Sequence, residues 1–154
     1  MGIQTLELSR GDEGLALGFV VNFELPRTVE EALLKGIPLH FTAQAQLLRE
    51  RWYWTDRRVT TAVRGWRLTY QPLTRRFRVG QGGLAQNLDD LESALAACSR
   101  ATGWRIAEPG QIEEGSRHYV EFRYRLDTSL LPRPMQIGIG GQPDWNLGFE
   151  RTLR

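Results

Sequence analysis

The residues of this 154-residue chain with the most direct access to chemistry are two histidines, one cysteine and a few adjacent acids, and their spacing decides what they can do. His40 and His118 stand far apart and form no HxH, HExxH or CxxC pattern, so no zinc site is expected. Gly80-Gln81-Gly82-Gly83 precedes a helical pattern, as phosphate-binding loops do. It lacks the GxxxxGKS and GxGxxG spacings, however, and Asp89 and Asp90 put negative charge where a phosphate would sit. The pairs Asp89-Asp90 and Glu113-Glu114 diverge on helix or loop and are poorly placed for general acid/base work. Ser116, in "GSRH", has no nucleophile-elbow context. Cys98 shares a helical face with Leu91, Ala94 and Leu95, which places the thiol in the core rather than in the electropositive, accessible setting that reactivity needs. No enzyme and no cofactor are expected from these residues.

Binding chemistry is better represented, above all in "RERWYWTDRRV" over residues 49–59. Arginine interleaved with aromatics can grip single-stranded nucleic acid by stacking and phosphate contact. The alternative is cross-strand arginine-aromatic packing that covers a sheet. The net charge of +2 is low for a nucleic-acid binder and no RNP-like motif is present, so nucleic acid is not the expected partner. The stretch reads as the end of a strand with Trp52 and Trp54 packed and Arg49, Arg51 and Tyr53 displayed. Across the following turn, Arg57, Arg58, Arg64 and Arg67 complete the candidate partner-binding set. Charge is polarised along the chain: nine arginines from Arg49 to Arg78 face only Glu50 and Asp56, and acids gather in the following third.

The elements that must position these residues are mostly strands. Ile3 to Ser9 and Leu15 to Leu25 form a hairpin, with Leu15, Leu17, Phe19, Val21, Phe23 and Leu25 on one face. A short helix over 28–35 follows, with a capping box from Thr28 to Glu31 and a stop at Gly36. Residues 39–54 read as one long strand whose apolar phase flips near 47–50, the mark of a β-bulge or bend. Thr55-Asp56-Arg57 turns the chain, Val59 to Tyr70 returns, and Arg75 to Val79 adds a short strand, so that strands occupy 37–79. A glycine loop, an Asn87 N-cap and a helix to about Arg100 cover 87–101. Strands resume over 104–152: Trp104 to Ala107, His118 to Leu126, and a last one with Trp145, Leu147 and Phe149 in phase. The fold expected is a single mainly β domain over 1–154, an antiparallel β-sandwich-like body of about eight strands with two short helices. An α+β arrangement, an antiparallel sheet with helices on one face, is the alternative.

The 41% apolar and 25% charged fractions are those of a globular protein, and no apolar run reaches the roughly 20 residues that span a bilayer, so no transmembrane segment is expected in this chain. Met1-Gly2 leads straight into strand-like sequence without a basic n-region or an apolar h-region, which reads either as a cytoplasmic start or as a chain whose signal peptide has been removed. Cys98 is the only cysteine, which excludes an internal disulfide.

Taken in order, "ELPRTVEEALLKGIPLHF", "RWYW", "YQPLTRRFRV", "LESALAACSRATGWRI" and "YRLDTSLLPRPMQI" followed by "DWNL" give the chain a resemblance to a bacterial family, domain-of-unknown-function family 4390, from roughly Leu15 to Leu147. The resemblance implies an exported proteobacterial protein, resident in the periplasm or cell envelope after removal of a signal peptide, with no assigned activity and no catalytic residues to carry over. Some family members are encoded beside a membrane sensor histidine kinase of the nitrogen-regulation type, which implies an envelope protein of that kind as partner. The chain ends "GFERTLR" where the family continues with more aromatics. Together these readings give an expected function: a non-enzymatic accessory or binding domain acting through a basic-aromatic sheet surface on a protein partner. The alternative is a lipid- or small-molecule-binding β-domain with an apolar pocket, suggested by the aromatic content and the glycine-rich "GIGGQ".

Overall fold

The computed structural model describes residues 2–127 and 146–153. Among them the chain forms nine strands and two α-helices: β1 (Gly2–Gly11), β2 (Gly14–Asn22), α1 (Arg27–Leu34), β3 (Leu39–Arg49), β4 (Arg57–Gln71), β5 (Arg76–Gln81), β6 (Leu84–Leu88), α2 (Leu91–Cys98), β7 (Arg100–Ala107), β8 (His118–Leu126) and β9 (Asn146–Leu153). A 3-10 turn lies at Pro109–Gln111. The strands build two antiparallel sheets, one ordered β1-β2-β7 and one ordered β6-β5-β4-β3-β8-β9. The mainly β, sandwich-like architecture expected from the sequence is therefore correct.

Period-two alternation explains why the sheets face each other. Leu15, Leu17, Phe19 and Val21 of β2 are buried, as are Leu39, Phe41, Ala43, Ala45 and Leu47 of β3 and Val120, Phe122, Tyr124 and Leu126 of β8. At the centre, the Phe19 ring lies 4.8 Å from Phe122, 6.0 Å from Trp66, 6.1 Å from Tyr124 and 6.4 Å from Trp104, joining both sheets in one aromatic cluster. Burying one such phenyl ring contributes about 1.5–3 kcal/mol. The two helices pack into the same core, α1 through Val29, Ala32 and Leu33 and α2 through Ala94 and Cys98. The inner face of the large sheet is thus shared between the small sheet and both helices.

Several local readings need correction. The helix 28–35 is present as α1, but its N-cap is Pro26 and no side chain caps it, so the Thr28 to Glu31 box does not form; Glu31 pairs instead with Arg27 at 3.4 Å. Residues 84–88, read as the approach to a helix capped by Asn87, form β6. The reason is the Gly82-Gly83 pair, whose φ values of +54° and +89° make a two-residue hairpin turn of the primed type and send the chain back along β5. Asp90 is the true N-cap, accepting a 2.7 Å hydrogen bond from the Ser93 amide, and the helix spans 91–98 rather than 87–101. Gly138 to Gly141 and Trp145 lie outside the described residues.

A bulge is present near residue 48, but the expected phase flip within the strand is not: β3 keeps its odd positions buried through Leu47. Leu47 pairs with Thr60 and Leu48 with Arg58, so Val59 of β4 is the extra residue of a bulge. The strand does not continue to 54, however. Pairing ends at Arg49 opposite Arg57, and residues 50–56 form the loop of the β3–β4 hairpin. β4 is also much longer than its other neighbour, since β5 pairs only with Arg67 to Gln71. Along 57–66, β4 has a ladder on one side alone among the described residues.

Candidate functional site

The seven expected surface residues do not share one face. β3 and β4 run antiparallel in the register Ala43 opposite Arg64, Thr42 opposite Gly65 and His40 opposite Arg67. Arg64 is therefore on the inner face with Ala43, and Arg67 is on the outer face with His40. Arg64 lies half-buried with its guanidinium 5.3 Å from the centre of the Trp104 ring, and burial pushes its pKa down. It is a covering residue of the core. Arg49 is at the end of β3 in a close ion pair with Glu113, its side chain only 20% exposed. Arg51 and Tyr53 are in the hairpin loop, while Arg57 and Arg58 open β4 beside it.

The loop itself reverses an expectation. Trp52 and Trp54, read as packed, are 96% and 71% exposed, and Tyr53 between them is 62% exposed. The cause is the early end of the hairpin ladder: past Arg49 no facing strand remains to receive the indoles. Yet the base of the loop is well tied. The Arg51 Nε–H donates to the Thr55 carbonyl at 2.7 Å, the Tyr119 hydroxyl donates to Asp56 at 2.6 Å, and the Glu50 amide donates to the Arg117 carbonyl at 2.9 Å. The Trp52 and Tyr53 rings meet edge to face with centroids 5.4 Å apart.

A second surface is assembled by the sheet order. With Phe77 and Val79 of β5 and the apolar residues of β8 turned inward, the alternate positions Arg78, Arg67, Arg123 and Arg125 rise from the outer face of four adjacent strands, β5-β4-β3-β8, among Thr42, Gln44 and Thr69. Arg125 has Asp127 at 3.8 Å, and Arg67, Arg78 and Arg123 have no carboxylate partner among the described residues. Gly65 and Gly80 lack side chains here and deepen the face into a trough of about 650 Å³ bordered by Arg67 and Arg78. A smaller depression of about 390 Å³ beside it is lined by Thr42, Gln44, Val63, Arg123 and Arg125. Of the expected set only Arg58 and Arg67 belong to this face. Arg78, Arg123 and Arg125 were missed because each strand's phase marks an arginine as outward without saying which strands are neighbours.

The remaining reactive groups are structural. Cys98 is fully buried, and desolvation pushes its thiol pKa up to about 12. The Tyr124 hydroxyl, also buried, donates to the Cys98 carbonyl at 2.8 Å and pins α2 to β8. His118 is buried, with Nδ1 3.2 Å from the Ser116 carbonyl and Nε2 3.4 Å from the Glu113 amide, so the ring braces the turn before β8. No three His, Cys, Asp or Glu side chains gather as metal ligands among the described residues. No helix among the described residues is long and apolar enough to cross a membrane.

No curated protein and no solved structure matches the chain. A family model does, and it extends past the Leu15 to Leu147 span of the sequence resemblance to take in the first hairpin and the end of the chain as far as Leu153. Matched over residues 1–153, the chain belongs to the family described as domain of unknown function DUF4390.

Proposed function

We propose that this chain is a non-enzymatic binding domain of the bacterial periplasm or envelope that holds the acidic surface of a partner protein against the outer face of its six-stranded sheet. The observation that carries the reading is the set of outward arginines Arg67, Arg78 and Arg123, in no ion pair among the described residues, on strands rigidly spaced by backbone ladders. Asp127 lines the trough with Arg67 and Arg78, and Glu121 lies near Arg123, but none of these arginines is in an ion pair among the described residues, so part of their field is left for a partner, which speeds encounter and sets register. The periplasmic part of a membrane sensor histidine kinase, the neighbour implied for some family members, is the first partner to test. Purified wild-type domain and the variant Arg67→Glu with Arg123→Glu would be titrated against that kinase domain at two salt concentrations. We expect the variant to fold normally and to bind at least about tenfold more weakly, with the wild-type affinity falling as salt rises. Equal binding by both proteins would overturn the reading.

A further inference from the structure

The tip of the β3–β4 hairpin shares only Arg58 with that sheet face, and its composition points elsewhere. Trp52, Tyr53 and Trp54 stand in solvent on a loop whose base is tied by three hydrogen bonds, so their exposure is built in rather than a product of fraying. Around them Arg51, Arg57 and Arg58 have no carboxylate partner among the described residues. The nearby acids are engaged: Asp56 accepts from Tyr119, and Glu50 lies 3.8 Å from Arg117. The tip therefore presents three amphipathic rings among arginines that are in no ion pair among the described residues.

We propose that this tip is a bilayer anchor that seats the domain on an anionic phospholipid surface. Trp and Tyr rings favour the headgroup depth of a membrane, where the apolar body leaves water and the N–H or O–H stays hydrated. Arginines at the same level gain from the negative surface potential of the leaflet. A protein-docking patch would set its aromatic anchors within a wider desolvated surface. Among the described residues the other exposed large apolar side chains are Leu34 at the end of α1, Leu73 in the β4–β5 turn, Leu84 in β6 and Val63 in the middle of β4, none of them in the hairpin loop. The rings are thus isolated at the end of a hairpin and accompanied by positive charge, a shape that fits a fluid, negatively charged interface. The anchor is weak by itself and acts with a second contact, as single membrane signals do.

The test is co-sedimentation of the full chain with vesicles of phosphatidylethanolamine and phosphatidylglycerol, compared with pure phosphatidylcholine and with the variant Trp52→Ser, Trp54→Ser. Wild type is expected to bind the phosphatidylglycerol vesicles and to lose binding on phosphatidylcholine or in high salt. The double variant, with unchanged thermal unfolding, is expected to partition at least about tenfold less. Tryptophan emission should shift blue on binding and be quenched by lipids brominated near the headgroup, and Arg57→Gln with Arg58→Gln should also weaken binding. Absence of wild-type binding, or equal binding by the tryptophan variant, would overturn the proposal. So would a tryptophan variant that keeps its vesicle binding and loses the kinase domain. Because Arg67 and Arg123 are not part of the tip, their charge reversal leaves vesicle binding by the rings in place, and the two proposals fail separately.

Discussion

Phe19 and Trp52 are both large aromatic residues on antiparallel strands or their connections, and they meet opposite fates. Among the described residues Phe19 touches four other rings from both sheets, whereas Trp52 is almost wholly in water with one ring neighbour. Sequence context does not separate them by hydrophobicity. What separates them is whether a ladder continues on both sides of the strand and a second layer faces it. β2 has β1 and β7 beside it and the large sheet in front, so each alternate residue is buried. Beyond Arg49 the chain has neither neighbour nor facing layer, and the same alternation of ring and charge describes a loop.

The sharpest test of this contrast is Phe19→Ala, which should cost about 3–5 kcal/mol in denaturant unfolding, against a change within about 0.5 kcal/mol for Trp52→Ala. A large loss from the tip variant would mean that the loop supports the core after all. Next in size is the chemistry of Cys98, whose thiolate, with a pKa pushed up to about 12 from 9.0, should be suppressed about a thousandfold in the folded protein. An aromatic disulfide reagent at pH 8 should therefore leave the native thiol untouched and label it on unfolding. Because the folded pKa is raised, this contribution to stability is complete below pH 9 and is lost as pH rises toward 12, so Cys98→Ala should flatten the alkaline decline measured by thermal unfolding. Tyr124→Phe keeps the ring and removes only its hydrogen bond to the Cys98 carbonyl; it should cost about 1–3 kcal/mol by the same denaturant assay. Smallest is Arg64→Gln, where the loss of the contact over Trp104 at a half-exposed position should cost about 0.5–1 kcal/mol.

The elements most legible in the sequence are those whose alternation is backed by packing. His118 to Leu126 was bounded to the residue, and the inward positions of β2 and β8 followed from period two alone. β6 was illegible because "LAQNL" is a short, exposed edge strand with no apolar face; only the Gly82-Gly83 turn announces it. The bulge falls where the sequence pattern put it, but for another reason: β3 keeps its own alternation and the extra residue, Val59, is on the partner strand, which a single strand's pattern cannot show. The candidate site was legible in its residue types and not in its grouping. Arg49, Arg64 and Arg67 look alike in sequence, yet one is neutralised by Glu113, one lies on Trp104 and one faces solvent. Separating them takes the register of β3 against β4, which is set by the whole sheet.

The single-sided stretch of β4 bears on how the protein behaves in a crowded solution. Backbone donors and acceptors along 57–66 that have no ladder partner among the described residues form a template onto which another copy could add a strand. Arg57, Arg58 and Arg64 repel a second copy brought up to this strand, and the bulge at Val59 breaks the regular spacing that a docking strand would need. Neutralising Arg57 and Arg58 together is therefore expected to favour strand addition along this edge over the free domain.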